Sequence, residues 1–134
     1  MKTLKVGIAS LEQMKARTYA IATGKRKRLP GEPKIWFPST ETMAKVLSDK
    51  NRSLLALIVE SSPDSIQTLA AKSGRHKSNL SRTLKTMERF GLVKVEEGTS
   101  GRKKPIVPFQ RVAVEIDLTA GNPVRKTAKA KIRA

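Results

Sequence analysis

The feature that most constrains this chain is a change of hydrophobic period at Gly91. Between Asn51 and Phe90 the apolar residues recur at helical spacing; from Leu92 onward they alternate. Two breaks divide the helical stretch into three. Leu54, Leu55, Leu57, Ile58 and Val59 form a strongly apolar helix that must end before Pro63, because a proline pushes the residue ahead of it out of the α region. Ser65 opens a second helix with Ile66, Leu69 and Ala70 inward, ended by Gly74, and a third spans roughly Ser78 to Phe90. In that third helix Leu80, Leu84 and Met87 fall within about 60° of one another on a 3.6-residue wheel, so this face is bound for a core. Leu92, Val93 and Val95 then enter a strand, the turn EEGTSGRKKP follows, and VAVEIDL puts Val112, Val114, Ile116 and Leu118 on one face of a closing strand. Three helices and a β-hairpin in that order predict a winged helix-turn-helix over residues 51–118.

The first 50 residues read as a small strand-helix-strand-helix extension, so the fold class expected is α+β. Leu4, Val6 and Ile8 alternate with Lys5 and Gly7 as in a half-buried strand. Ser10 with Gln13 fits a capping box for a helix from about 11 to 23, with Gly24 as its stop. KRKRLPGEP at 25–33 carries prolines, a glycine and four clustered charges, and reads as a solvated basic loop rather than an import signal. Ile35, Trp36 and Phe37 form a short strand, and a capping Ser39 or Thr40 starts a helix with Met43, Val46 and Leu47 on one face. Trp36 and Phe37 suit either ordinary core packing or a dimer contact supplied by this extension.

Charge points to the partner. Twenty-eight Lys and Arg against eleven Asp and Glu give a net charge of +17, which attracts polyanions. On the third helix Ser78, Arg82, Lys85 and Arg89 point away from the apolar face, with Ser81 and Thr86 flanking them, and the turn adds Arg102, Lys103 and Lys104. A lone cationic helix face is usually just solvated. Here helix order, turn lengths, hairpin and charge sign agree, and short hydroxyls beside long cations suit base edges and phosphates. Residues 119–134 hold five basic residues, no acidic one and no apolar periodicity, and read as a disordered basic tail. His76 reads as an exposed loop residue, a helix cap or a phosphate contact.

SIQTLAAKSGRHKSNLSRTLKTMERFGLVKVEEG followed by RKKPIVPFQRVAVEIDL resembles the MarR-type winged-helix proteins of archaea and bacteria, especially a branch of DNA-binding regulators and antitoxin-like proteins. The resemblance covers about residues 50 to 118 and extends more weakly to the first 50. It implies a homodimeric DNA reader with Ser78, Asn79, Ser81 and Arg82 at the entry of a recognition helix and Arg102 to Lys104 at a wing tip. The chain is more basic than that branch at 25–28 and 125–133, which implies an added share of sequence-independent attraction to phosphate.

Other classes are disfavoured. There is no cysteine and one histidine, so disulfides, thiolate or histidine zinc sites and a Ser-His-Asp triad are not expected, and no cofactor is implied. Glu96 and Glu97 are adjacent, so on a strand they face opposite ways and cannot form an acid/base pair. GTSGRKK lacks the order of a P-loop. The N-terminus has no long apolar run, and a cytoplasmic, nucleoid-associated protein is expected. The expected function is a transcriptional regulator on double-stranded DNA. The alternatives are an antitoxin that binds a protein toxin and represses its own operon, or a nonspecific nucleoid- or RNA-binding protein.

Overall fold

The computed structural model describes residues 2–118. It is an α+β fold with five α-helices, a three-stranded sheet and a separate hairpin among those residues. Strand β1 (Thr3–Ile8), helix α1 (Leu11–Ala22) and strand β2 (Ile35–Phe37) form a βαβ unit, since β1 and β2 pair in parallel and parallel neighbours need a crossover between them. Helices α2 (Thr40–Val46), α3 (Asp49–Ser61), α4 (Ile66–Ser73) and α5 (Lys77–Arg89) follow, then the antiparallel hairpin β3 (Lys94–Glu97) and β4 (Lys103–Ile106), and last β5 (Arg111–Glu115).

Local chemistry accounts for most of the boundaries. Ser10 and Gln13 make the reciprocal capping box of α1, and Ser39, Ser48 and Ser65 each accept the backbone N–H three residues on to start α2, α3 and α4. Gly74 closes α4 at φ +75°, a conformation that glycine adopts without the clash of a Cβ. The expected loop at 25–33 is not simply solvated. Arg26 is buried and, with Arg17 of α1, is ion-paired to Glu32, which folds the loop back onto α1.

One core joins the parts. Leu4 and Val6 of β1 and Phe37 of β2 lie in the same buried cluster as Val46, Leu54, Ile58, Leu69, Leu80, Leu84, Met87, Leu92 and Val93. Phe37 is fully buried and stacks on Phe90 with ring centroids 4.5 Å apart, so it belongs to the core and not to a dimer contact. Its neighbour Trp36 turns to the opposite sheet face. There the Arg17 guanidinium of α1 sits 5.4 Å from the indole centroid.

The closing strand is where sequence and structure part. Alternation predicts a strand at VAVEIDL, and β5 is one, but it does not extend the hairpin. It pairs in parallel with β1, giving the order β2-β1-β5 and the register Leu4↔Val112, Val6↔Val114. Sheet pairing therefore runs across residue 50, and the extension and the expected 51–118 unit share one sheet. Val112, Val114, Ile116 and Leu118 are not packed: they are 36%, 44%, 47% and 90% exposed. The expected tail at 119–134 lies outside the described residues. Among the described residues no helix is long and apolar enough to cross a membrane.

Candidate nucleic-acid interface

Helix α5 has two opposed faces. Leu80, Leu84 and Met87 are almost completely buried, as their wheel positions predict. The far side carries Ser78, Arg82, Lys85 and Arg89, all exposed, with Asn79 exposed and Ser81 and Thr86 half-buried at the margins. From Ser78 to Arg89 the stripe runs about 16 Å at 1.5 Å per residue. Arg82, Lys85 and Arg89 have no ion-pair partner among the described residues, so three unpaired cations lie on one face of one helix. The structure thus brings the sequence-selected helix residues together on one surface.

The start of α5 differs from that of the other helices. His76 occupies the N-cap position, but its exposed side chain makes no capping bond, and the first turn holds no acidic residue. Sequence reasoning missed Arg75, one residue earlier. Its guanidinium donates to Asn51 Oδ1 (3.3 Å) and to Lys50 O (3.0 Å), which ties the α4–α5 turn to the first turn of α3. No periodic signal marks such a residue, because its partners lie 24 and 25 positions away. Lys50, Lys72, Arg75, His76 and Asn79 line a concavity of about 790 Å³ beside the entry of α5.

The hairpin is less uniformly cationic than its sequence suggests. The expected tip, Arg102 to Lys104, is only partly at the tip. The turn is made by Gly98 to Gly101: Gly98 N–H donates to Arg102 O (2.5 Å), and Ser100 and Gly101 both take left-handed φ values. Lys103 and Lys104 belong to β4 and stand directly across from Glu97 and Glu96 of β3. Opposed Cβ atoms on a strand pair are about 5 Å apart, so an acid stands beside each lysine, although no ion pair within 4.0 Å joins them. The cause is register, which a linear reading of GRKKP does not reveal. Arg102 is exposed, and its guanidinium lies 4.0 Å from the Asp64 carboxylate at the foot of α4. A bond from the Thr68 hydroxyl holds the Asp64 carboxyl below its usual range; desolvation opposes it, and Arg102 adds a smaller lowering effect.

Residues 46–114 match the HVO_A0114 family, just over half of the 134 residues. The chain belongs to the HVO_A0114 family. The matched span runs from the last residue of α2 through α3, α4, α5 and the hairpin into β5, so it contains every residue of the α5 stripe and the hairpin cluster. No curated protein and no solved structure matches the chain.

Proposed function

We propose that this protein is a DNA-binding transcriptional regulator of the winged helix-turn-helix kind, similar to MarR-type proteins and acting as a homodimer on double-stranded DNA. In this reading α3, α4 and α5 are the three helices, α5 lies in the major groove, and the β3–β4 hairpin is the wing. The observation that carries it is the division of α5. Its inner face is buried to completion, while its outer face holds Arg82, Lys85 and Arg89 exposed and without ion-pair partners among the described residues. Exposed Ser78 and Asn79 at the entry supply the short polar groups that read base edges, and the cations reach phosphates or guanine. The N–H groups at the start of α5, free of any side-chain cap, suit a phosphate approached by Lys77.

A second reading, nonspecific coating of nucleic acid, is favoured by the net charge of +17. One experiment separates the two. A preferred duplex is selected from a random pool, and its affinity is compared with that for random duplex and single-stranded RNA across a salt series. A regulator prefers its site over random duplex by about 10³-fold or more, and Arg82→Ala/Lys85→Ala/Arg89→Ala abolishes that preference. Equal affinity for all three nucleic acids, or a triple variant that binds as the wild type does, overturns the regulator reading.

A further inference from the structure

The outer edge of β5 is open. β5 is the last strand of the sheet order β2-β1-β5, all five of its residues are exposed, and no further strand pairs with it among the described residues. Edges of this kind are ordinarily blunted by lysines, prolines or bulges, because their unpaired N–H and C=O groups are a template for another strand. The side chains beside this edge are apolar on one face. Val112 and Val114 form one wall of a groove of about 460 Å³ whose opposite wall is Leu55, Ala56 and Val59 of α3.

The backbone orientation limits how the edge can be filled. Arg111 donates its N–H to Lys2 O (3.3 Å), toward β1. By strand alternation Ala113 and Glu115 also turn their polar groups toward β1, and Val112 and Val114 turn theirs outward. A partner strand must therefore bond to Val112 and Val114. The sequence of β5, Arg-Val-Ala-Val-Glu, is complementary to itself when reversed about Ala113.

We propose that β5 pairs antiparallel with β5 of a second copy about a two-fold axis at Ala113, joining the two sheets edge to edge. In this register Val112 exchanges backbone hydrogen bonds with the partner's Val114, and Ala113 faces the partner's Ala113 in a non-hydrogen-bonded pair. Arg111 stands opposite the partner's Glu115. Because Glu115 is already bound by Lys5 from within its own chain (2.9 Å), each carboxylate is flanked by a cation on both sides. The valines of both copies meet across the axis and close the groove along α3. A second copy fits this surface better than the chain's own residues 119–134. Those carry five positive charges and no negative one, while Arg52 and Arg111 already line the groove and only Glu60 opposes them. The inference deepens the dimeric part of the proposed function, and it needs no DNA for its test.

The chain has no cysteine, so one introduced thiol reports the register cleanly. Opposed non-hydrogen-bonded residues lie about 4.5 Å apart at Cα, within the disulfide range of about 4.4 to 6.8 Å. Sedimentation equilibrium without DNA is expected to give a dimer for the full chain. Ala113→Cys should cross-link into a covalent dimer under mild oxidation, and Thr18→Cys, exposed on α1, should not. Val114→Lys should raise the dimer dissociation constant about tenfold or more and leave the melting temperature unchanged at concentrations where both proteins are monomeric, since Val114 is already half-exposed in the protomer. Arg111→Glu and Glu115→Arg should each weaken the dimer, and the double swap should recover part of the loss, limited by the arginine then standing beside Lys5. A monomeric wild type overturns the proposal, as does a dimer that survives Val114→Lys while Ala113→Cys fails to cross-link. So does a full chain that dimerises only after residues 119–134 are removed, because the tail would then be the occupant. A monomer that binds its site specifically would sink this proposal and leave the DNA reading standing; a dimer indifferent to DNA would do the reverse.

Discussion

Gly7 of β1 lies directly beneath the indole of Trp36 in β2: a Cβ placed on Gly7 would stand 2.5 Å from Cζ3 and 2.7 Å from Cε3. The ring cannot move away freely, because the Arg17 guanidinium covers it 5.4 Å from its centroid. Gly7→Ala should therefore destabilise the protein by about 1–3 kcal/mol, the usual cost of forcing one extra carbon into a packed site. Urea unfolding checks this, and a paired Trp36→Leu substitution should recover part of the loss.

Glu32 predicts the acid sensitivity of the 25–33 loop. Burial pushes its carboxyl up. The Leu29 N–H (2.6 Å) and the guanidiniums of Arg26 and Arg17 outweigh that and hold it below its ordinary value of 4.5. A carboxylate with a depressed folded pKa contributes stability that is fully present above its unfolded value and is lost as pH falls through the folded one. The Glu32 contribution should thus be constant from neutral pH down to about 5 and be lost as the pH falls below the ordinary value of 4.5 and through the lowered folded one. Glu32→Gln, which removes the carboxylate from between two buried guanidiniums, should cost on the order of 3 kcal/mol at pH 7 and flatten that acid limb. Melting curves between pH 3 and 7 test both.

Leu84 and Arg82 are two residues apart on α5 and should fail in different ways. Leu84 is 1% exposed, so Leu84→Ala leaves a cavity worth about 2–5 kcal/mol and should lower the melting temperature. Arg82→Ala should leave the melting temperature unchanged and weaken the preferred duplex by about 1–3 kcal/mol, with relaxed choice at one base pair. Equal loss on random duplex would make Arg82 a phosphate contact.

The hairpin cations should not act alike. Arg102→Ala should lower the slope of log affinity against log salt by about 0.9, as for one released phosphate contact. Lys103→Ala/Lys104→Ala should change the slope by less than two such contacts, because Glu97 and Glu96 stand across from the lysines. Adding Glu96→Gln/Glu97→Gln to the intact lysines should steepen it. A slope equal for all these variants would place the hairpin in solvent.

The sequence by itself determined the elements whose causes are local. The Ser10–Gln13 box, the serine caps of α2 and α4, the stop at Gly74 and the buried triad Leu80, Leu84 and Met87 all depend on residues within about one or two helical turns of one another, and all stand where spacing and propensity put them. The outward set Ser78, Arg82, Lys85 and Arg89 was legible for the same reason: the position of one helical face dictates the other. Tertiary structure alone decided the partners of distant segments. Period-2 alternation marks Val112 and Val114 as strand residues but holds no term for which strand receives them. β1, more than 100 residues earlier, wins because parallel pairing there extends a sheet already closed over the core. The same limit hid the Glu32 clamp on Arg17 and Arg26, the anchoring of Arg75 on Asn51, and the setting of Lys103 and Lys104 against two glutamates. Each is a juxtaposition fixed by the path of the backbone, and residue types and local spacing carry no record of it.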